Sequence, residues 1–247
     1  MKNRFFEVLY EDEDLLVVNK NAGVYSIDPR HSTKDPILPE LLSKIYRSVF
    51  VVHRLDRDTS GLMLFARNEE SHKLLSKQFQ ENKIEKSYYA FVDGIVDFDG
   101  AYLIDVPIFI DPGKPKVRID PKGKEAKTKI RILEKYSNHT LLEAKLLTGR
   151  THQIRVHLQY IGHPLMVDKL YGNREEFYLS EIKHKYRTGK NAEELPLIAR
   201  QTLHSHQIKL FRPSDGNEIT FEAPLPKDLN ALKNQLLKSI KKSIRDV

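Results

Sequence analysis

The chain has 247 residues, 40% of them apolar, no Cys and a formal charge of +7. This excludes a disulfide scaffold, a thiol nucleophile and a Cys-ligated metal. No apolar run nears the ~20 residues that span a bilayer, and the start, MKNRFFEVLYEDEDLLVVNK, lacks the apolar core of a secretory signal. A cytoplasmic protein without membrane attachment is expected, and the surplus of cations points to a polyanionic partner, nucleic acid first.

Residues 5–20 read as a hairpin: FEVLY, an EDED turn, then LLVVNK. Residues 24–36, with Pro29 and Pro36, read as loop, and Pro39 suits the first turn of a helix over 39–47. Two apolar runs, Val49–Val52 and Leu62–Ala66, flank HRLDRDTSG. Asn68 is placed to cap a helix over 69–81. KSYYAFVDGIV reads as a strand that turns at Asp97 to Gly100.

Residues 114–131 hold eight Lys or Arg against Asp120 and Glu125. They read as a hairpin around Asp120-Pro-Lys-Gly123. TLLEAKLL is a strand, and 150–161 a helix. Residues 173–201, polar and mixed in charge, predict an inserted surface helix. HQIKLF and EITFEA are strands joined by Pro-Ser-Asp-Gly. Leu229, Leu232, Leu236, Ile240 and Ile244 recur at helical spacing, giving a C-terminal helix over about 227–245. Strands outnumber helices and come in hairpins, which favours an α+β domain with a largely antiparallel sheet. A single catalytic domain over 1–247 is expected.

Two segments concentrate polar chemistry. HRLDRD, residues 53–58, sets two Arg and two Asp between apolar strands. The bland reading is a surface ion-pair cluster of little consequence, but loops held by rigid strands are also where function gathers. TGRTHQIRVHL, residues 148–158, sets Arg150, His152, Gln153, Arg155 and His157 on a helix that also buries Ile154, Val156 and Leu158. They cannot all face solvent. A buried Arg needs an anionic partner, and the loop of Asp56 and Asp58 is a candidate source. A metal site is not expected: His152 and His157 are split around a helix, and His204 and His206 have no evident third ligand. No Gly-rich phosphate loop is present.

HRLDRDTSG at 53–61, KSYYAFVDG at 86–94, GKEAKT at 123–128, LLTGRTHQIRVHLQYIGHP at 146–164, LHSHQIKLFRP at 203–213 and FEAPLP at 221–226 stand in one order across about 6–226. In these motifs the chain resembles the RluA-like family of RNA pseudouridine synthases. The resemblance implies the pseudouridine synthase fold: a long mixed, mostly antiparallel sheet with flanking helices and a central active-site cleft. It implies Asp56 as the catalytic aspartate, Tyr88 as the tyrosine packed on the uracil ring and Arg155 as the basic residue paired with the aspartate. Arg54 would help hold the target base out, Leu55 and Ile154 would be apolar walls, and Arg150, His152 and Gln153 would lie toward the substrate. The implied activity is isomerisation of uridine in structured ribosomal or transfer RNA by base flipping, with no cofactor and no metal. Asp56 would either attack C1′ or take a proton from C2′.

The chain departs from the family pattern at Lys20-Asn21-Ala22-Gly23, where a Pro usually follows the Lys, and at Val167, where a Gly usually precedes the Asp. No N-terminal S4 domain fits before the first motif, so RNA affinity is expected from the catalytic domain, which permits a monomer. Lys114, Lys116, Arg118, Lys122 and Lys124 are candidate phosphate contacts, against the reading of a solvated hairpin. Two rival functions stand beside the isomerase: a glycoside hydrolase using Asp56 and Asp58, and an RNA chaperone without catalysis.

Overall fold

The computed structural model describes residues 3–29, 33–183, 186 and 193–243. In chain order the strands are β1 (Phe6–Glu11), β2 (Leu15–Lys20), β3 (Phe50–Val51), β4 (Ser60–Ala66), β5 (Glu85–Asp93), β6 (Ala101–Asp105), β7 (Ile108–Phe109), β8 (Arg118–Ile119), β9 (Lys127–Lys135), β10 (His139–Leu146), β11 (Leu203–Phe211) and β12 (Glu218–Glu222). The helices are α1 (Leu38–Ser43), α2 (Glu69–Gln80), α3 (Gln153–Tyr160) and α4 (Lys227–Ser243). Ten strands belong to a mixed sheet, and β7 and β8 form a separate pair. The α+β class expected from the hairpins is the one observed. Two compact units divide the chain: Met1–Tyr88 with His204–Pro224, and Tyr89–Leu203 with Leu225–Val247.

In the first unit the strand order is β1-β2-β4-β11, with β5 beyond β11. β1 and β2 form the expected hairpin, with a bulge between Val8 and Tyr10. β4 is antiparallel to β2 from Ala66 to Gly61. Its other edge is shared: β3 pairs antiparallel at Phe65 and Ala66, and β11 pairs parallel at Ser60 and Gly61. Every residue of β4 is buried, so its apolar run is continuous rather than alternating. Asn68 caps α2 as expected, its Oδ1 accepting from the Ser71 N–H at 2.8 Å. α2 buries Leu75 against Leu15, Val17, Leu62 and Leu64.

In the second unit the order is β5-β10-β9-β6. Phe91, Leu141, Val167 and Phe177 pack with Leu229, Leu232 and Leu236 of α4, so the Leu repeat of the tail is a core stripe. Ile244 lies outside the described residues.

Two expectations are corrected. The 120–123 turn forms, with the Gly123 N–H donating to the Asp120 carbonyl at 2.8 Å. Its two arms do not pair with each other, because β7 lies between them: Ile108 pairs with Ile119 on one side and bridges to Lys124 on the other. Gly123 permits this, since a Cβ there would fall 2.4 Å from the Ile108 backbone. The basic run then continues into β9, within the large sheet. In 173–201, the described residues hold one 3₁₀ turn, Leu179–Glu181, and a bridge between Phe177 and Ile198 in place of the expected helix. Residues 184, 185 and 187–192 of that expectation lie outside the described residues.

Candidate active site

The loop 52–59 joins β3 to β4, and residues 20–26 anchor it. Lys20 is fully buried, and its Nζ donates to the carbonyls of Asn21 (3.1 Å), Val24 (2.9 Å) and Arg57 (3.0 Å). The Gly23 N–H donates to the same Arg57 carbonyl at 3.0 Å. The Ser26 hydroxyl donates to the Leu55 carbonyl at 2.5 Å and accepts the Leu55 N–H at 3.1 Å. The Thr59 N–H closes the loop onto the Asp56 carbonyl at 3.1 Å. Asp56 is thus bracketed by backbone fixed on both sides, which is how a loop residue is held to a working geometry.

The neighbours of Asp56 divide by role. His53 stacks on Phe79 at 4.8 Å, and its Nε2 accepts the Leu64 N–H at 2.9 Å. It thereby satisfies a backbone donor on the β4 edge between the β3 and β11 pairings. Burial pushes its pKa down to about 3, so it is a neutral acceptor. Arg57 pairs with Asp35 at 2.8 Å and with Asp58 at 3.1 Å. Arg54 is exposed and Leu55 buried.

Tyr88, on β5, is 5% exposed. Burial raises its pKa, the Ser205 hydroxyl opposes the rise, and the negative charge of Asp56 adds to it. Ser205 is fully buried, and among the described residues its hydroxyl has no hydrogen-bond partner of normal geometry. Beside it the Ser60 hydroxyl lies 3.0 Å from His204 Nδ1, and His204 Nε2 donates to the Ala223 carbonyl at 3.2 Å.

In the second unit, α3 carries the other dense segment. Arg155 is 3% exposed and Asp168 1%. Arg155 donates from Nε to Asp168 Oδ2 at 2.6 Å and from Nη2 to Oδ1 at 2.8 Å, a two-pronged pair. Oδ1 also accepts the N–H groups of Leu170 and Tyr171. Burial would raise the Asp168 pKa, but these donors hold it below the usual carboxylate range. Tyr171 lies under the guanidinium, with ring centroid and Cζ 4.9 Å apart. Asp168 and Tyr171 are partners of Arg155 to which the sequence reading gave no role. The acid in HPLMVD was visible, but nothing in the sequence ties it to Arg155.

The remaining residues of this segment support one another. Gln153 uses its whole amide: Oε1 accepts from Thr148 Oγ1 and Arg150 N, each at 2.9 Å, and Nε2 donates to the Lys127 carbonyl and Thr128 Oγ1, each at 3.0 Å. His157 bridges Thr128 Oγ1 (2.9 Å) and the Val106 carbonyl (3.1 Å), and burial lowers its pKa to about 4. His152 adopts a left-handed backbone (φ 53°) and meets the Tyr171 hydroxyl at 3.0 Å. Arg150 is exposed, its Nε donating to the Glu125 carbonyl, and Ile154 is buried. Among the phosphate candidates, Arg118 is held by Asp111 and Asp120, Lys114 is 3.8 Å from Asp111, and Lys116 lies over Tyr171. Lys122 and Lys124 are exposed.

Residues 14–160 match the family model described as RNA pseudouridylate synthase. The chain belongs to this family. Ribosomal large subunit pseudouridine synthase D of Neisseria meningitidis serogroup B is 36% identical over 231 residues, covering 90% of this chain and 59% of that protein. Ribosomal large subunit pseudouridine synthase C of Vibrio cholerae is 36% identical, covering 88% and 65%. The chain thus spans about three fifths of the length of these relatives. Human RNA pseudouridylate synthase domain containing 4 superposes with a TM-score of 0.71 at 23% identity, over 93% of this chain and 92% of that one. Its likeness shows that the pseudouridylate synthase family fold is present here.

Proposed function

We propose that the protein isomerises uridine to pseudouridine in structured RNA, with Asp56, Tyr88 and Arg155 carrying the chemistry. The observation that carries this reading is Asp56 on a loop pinned by Lys20 and Ser26, close enough to the buried Tyr88 phenol for its charge to act on it. The names of the relatives direct the proposal to ribosomal RNA of the large subunit. Base flipping exposes the nucleotide, with Arg54 filling the helix behind it and Leu55 and Ile154 walling the ring. Asp56 opens the N1–C1′ bond by attack at C1′ or by taking the C2′ proton. The uracil turns, C5 bonds to C1′ as Asp56 leaves C1′ or returns its proton to C2′, the C5 proton leaves and N1 takes up a proton, so atoms and electrons balance without an oxidant. Arg155, braced by Asp168, is the basic residue of the proposed chemistry. Arg150 and His152 stand toward the RNA strand, and Gln153 shapes the 148–150 turn from which Arg150 projects.

The two-carboxylate hydrolase has less support, because Arg57 engages Asp58. Tritium release from RNA labelled at uracil C5 tests the proposal, with ribosomal and transfer RNA from a deletion strain offered separately. Release from ribosomal RNA, lost in Asp56→Ala, is the expected result. Free uracil in place of pseudouridine would establish the hydrolase instead. RNA binding without release would leave the chaperone.

A further inference from the structure

Lys86, on β5, is a cation that the proposed chemistry leaves idle. It is partly buried, and among the described residues its ammonium meets no carboxylate and no hydrogen-bond acceptor. What it meets is the ring of Phe79 on α2, with Nζ 5.2 Å from the ring centroid. The same ring stacks on His53, whose Nε2 is taken by the Leu64 N–H. A ring face attracts a cation but does not replace the oxygen acceptors that an ammonium has in water. Burial, and after it the Lys86 charge, keeps the His53 imidazole neutral.

A surface lysine usually lays its stem on apolar groups and leaves its ammonium in water. Lys86 departs from that pattern, because burial pulls its pKa down to about 8. An ammonium drawn partly out of water without a counter-charge costs free energy that an incoming anion offsets. The position says which anion. Lys86 and Tyr88 are two residues apart on β5, so they share a face of the strand and stand about 6.6 Å apart along it. The span from a base to the phosphate on its own sugar is of the same order. His53, the other neighbour of Phe79, opens the loop that carries Arg54 and Asp56. All of these residues belong to the first unit.

We propose that Lys86 is a phosphate-binding residue, which grips the RNA backbone at the nucleotide that enters beside Tyr88. The inference rests on the RNA reading above and deepens it. Phe79 and neutral His53 form the seat of the ammonium, and a phosphate supplies the counter-charge that this seat lacks. The contact is made only while Lys86 is protonated, so RNA affinity should fall as pH rises past about 8. His53 is the titratable neighbour that feels the Lys86 charge, and it stays neutral across this range.

The test uses transcribed large-subunit ribosomal RNA and the full chain. Dissociation constants are measured in the Asp56→Ala background, across a salt series at pH 7 and from pH 7 to pH 9 at fixed salt. Lys86→Met and Lys86→Arg are compared with the parent, and Lys73→Met, an exposed cation of α2, is the control. Tritium release by the parent with Asp56 intact is followed separately. Lys86→Met should lower the slope of log K against log salt by about one and bind about tenfold more weakly at 0.1 M salt. The parent should lose affinity several-fold by pH 9, and Lys86→Met should not. Lys86→Arg, whose guanidinium stays charged, should keep the slope and lose the fall with pH. Because Lys86→Met removes an unpaired cation, its melting temperature should hold or rise. If the parent releases tritium while Lys86→Met keeps its slope and affinity, the phosphate contact fails and the function stands. Weaker binding with a lower melting temperature and an unchanged slope also overturns it, as a structural effect, and so do parallel pH profiles for parent and Lys86→Met. If the parent binds RNA but releases nothing, the isomerase reading fails, and the slope still decides the contact.

Discussion

The backbone of Ser205 on β11 presses against Gly61 on β4 so closely that a Cβ at Gly61 would fall 2.2 Å from the Ser205 carbonyl oxygen. Gly61 also has φ +114°, which side chains rarely adopt. This contact sits where β4 and β11 pair in parallel, at the end of the HRLDRDTS loop and one residue from the Ser60–His204 hydrogen bond. Gly61→Ala therefore forces the strands apart and twists the exit of the loop that carries Asp56. A loss of about 3 kcal/mol is expected from overpacking and backbone strain together. For a chain of this size that is roughly 6–12 °C in melting temperature. A melting curve within about 2 °C of the parent, roughly 1 kcal/mol or less, would show that the strands yield.

Asp168 braces Arg155 with both carboxylate oxygens. Asp168→Asn keeps an acceptor for the Leu170 and Tyr171 N–H groups but removes the charge opposite a buried guanidinium. Breaking such a pair costs about 3–5 kcal/mol. In the proposed mechanism it also frees Arg155 to turn, so kcat should fall at least tenfold, about 1.4 kcal/mol of barrier, while RNA affinity stays near the parent's. Calorimetry and single-turnover tritium release on the same samples check both. A stability loss with unchanged turnover would make Asp168 purely structural.

Much of this was legible in the sequence where the signal is local. The β1–β2 hairpin, the Asn68 cap and the Leu stripe of α4 each follow from spacing within a few residues. The pairing of β7 between the arms of the basic run was not, because a two-residue strand has no periodicity and its register depends on Gly123 meeting Ile108. The site divides in the same way. Asp56, Tyr88 and Arg155 stand out through motifs, whereas Asp168 and Ser205 matter through contacts far apart in the chain. His53 looked like part of a charged tip, and its hydrogen bond to Leu64 makes it part of the sheet edge.

His157 gives the fold a pH dependence with a definite sign. Burial lowers its pKa from 6.5 to about 4, so the folded state takes up its proton later than the unfolded state. Its stabilisation is fully present above pH 6.5 and fades as pH falls toward 4, by about 3 kcal/mol in all. His53 acts in the same direction, down to about pH 3. Urea midpoints should therefore drop between pH 7 and pH 4. His157→Gln, which does not titrate, should lower the midpoint at pH 7 and flatten the profile without abolishing its slope. Parallel profiles for the two proteins would show that His157 is not the titrating group.

Tyr88 meets two demands that one substitution separates. In the proposed complex its ring covers a face of the uracil and its hydroxyl assists the loss of the C5 proton. With burial and Asp56 both raising its pKa, the phenol is protonated at neutral pH. In the proposed mechanism it can take the C5 proton only if its own passes to a base, and that base is the Asp56 carboxylate, free again once C5 has bonded to C1′. Tyr88→Phe keeps the ring and deletes the relay. RNA binding should stay within about twofold, less than 0.5 kcal/mol, because the buried ring area is retained. The single-turnover rate should fall at least a hundredfold, about 2.7 kcal/mol. Loss of the C5 proton would then limit the rate, and uridine deuterated at C5 should react measurably more slowly in the variant than in the parent. A near-parental rate with no isotope effect would reduce Tyr88 to a stacking surface and assign the proton to solvent.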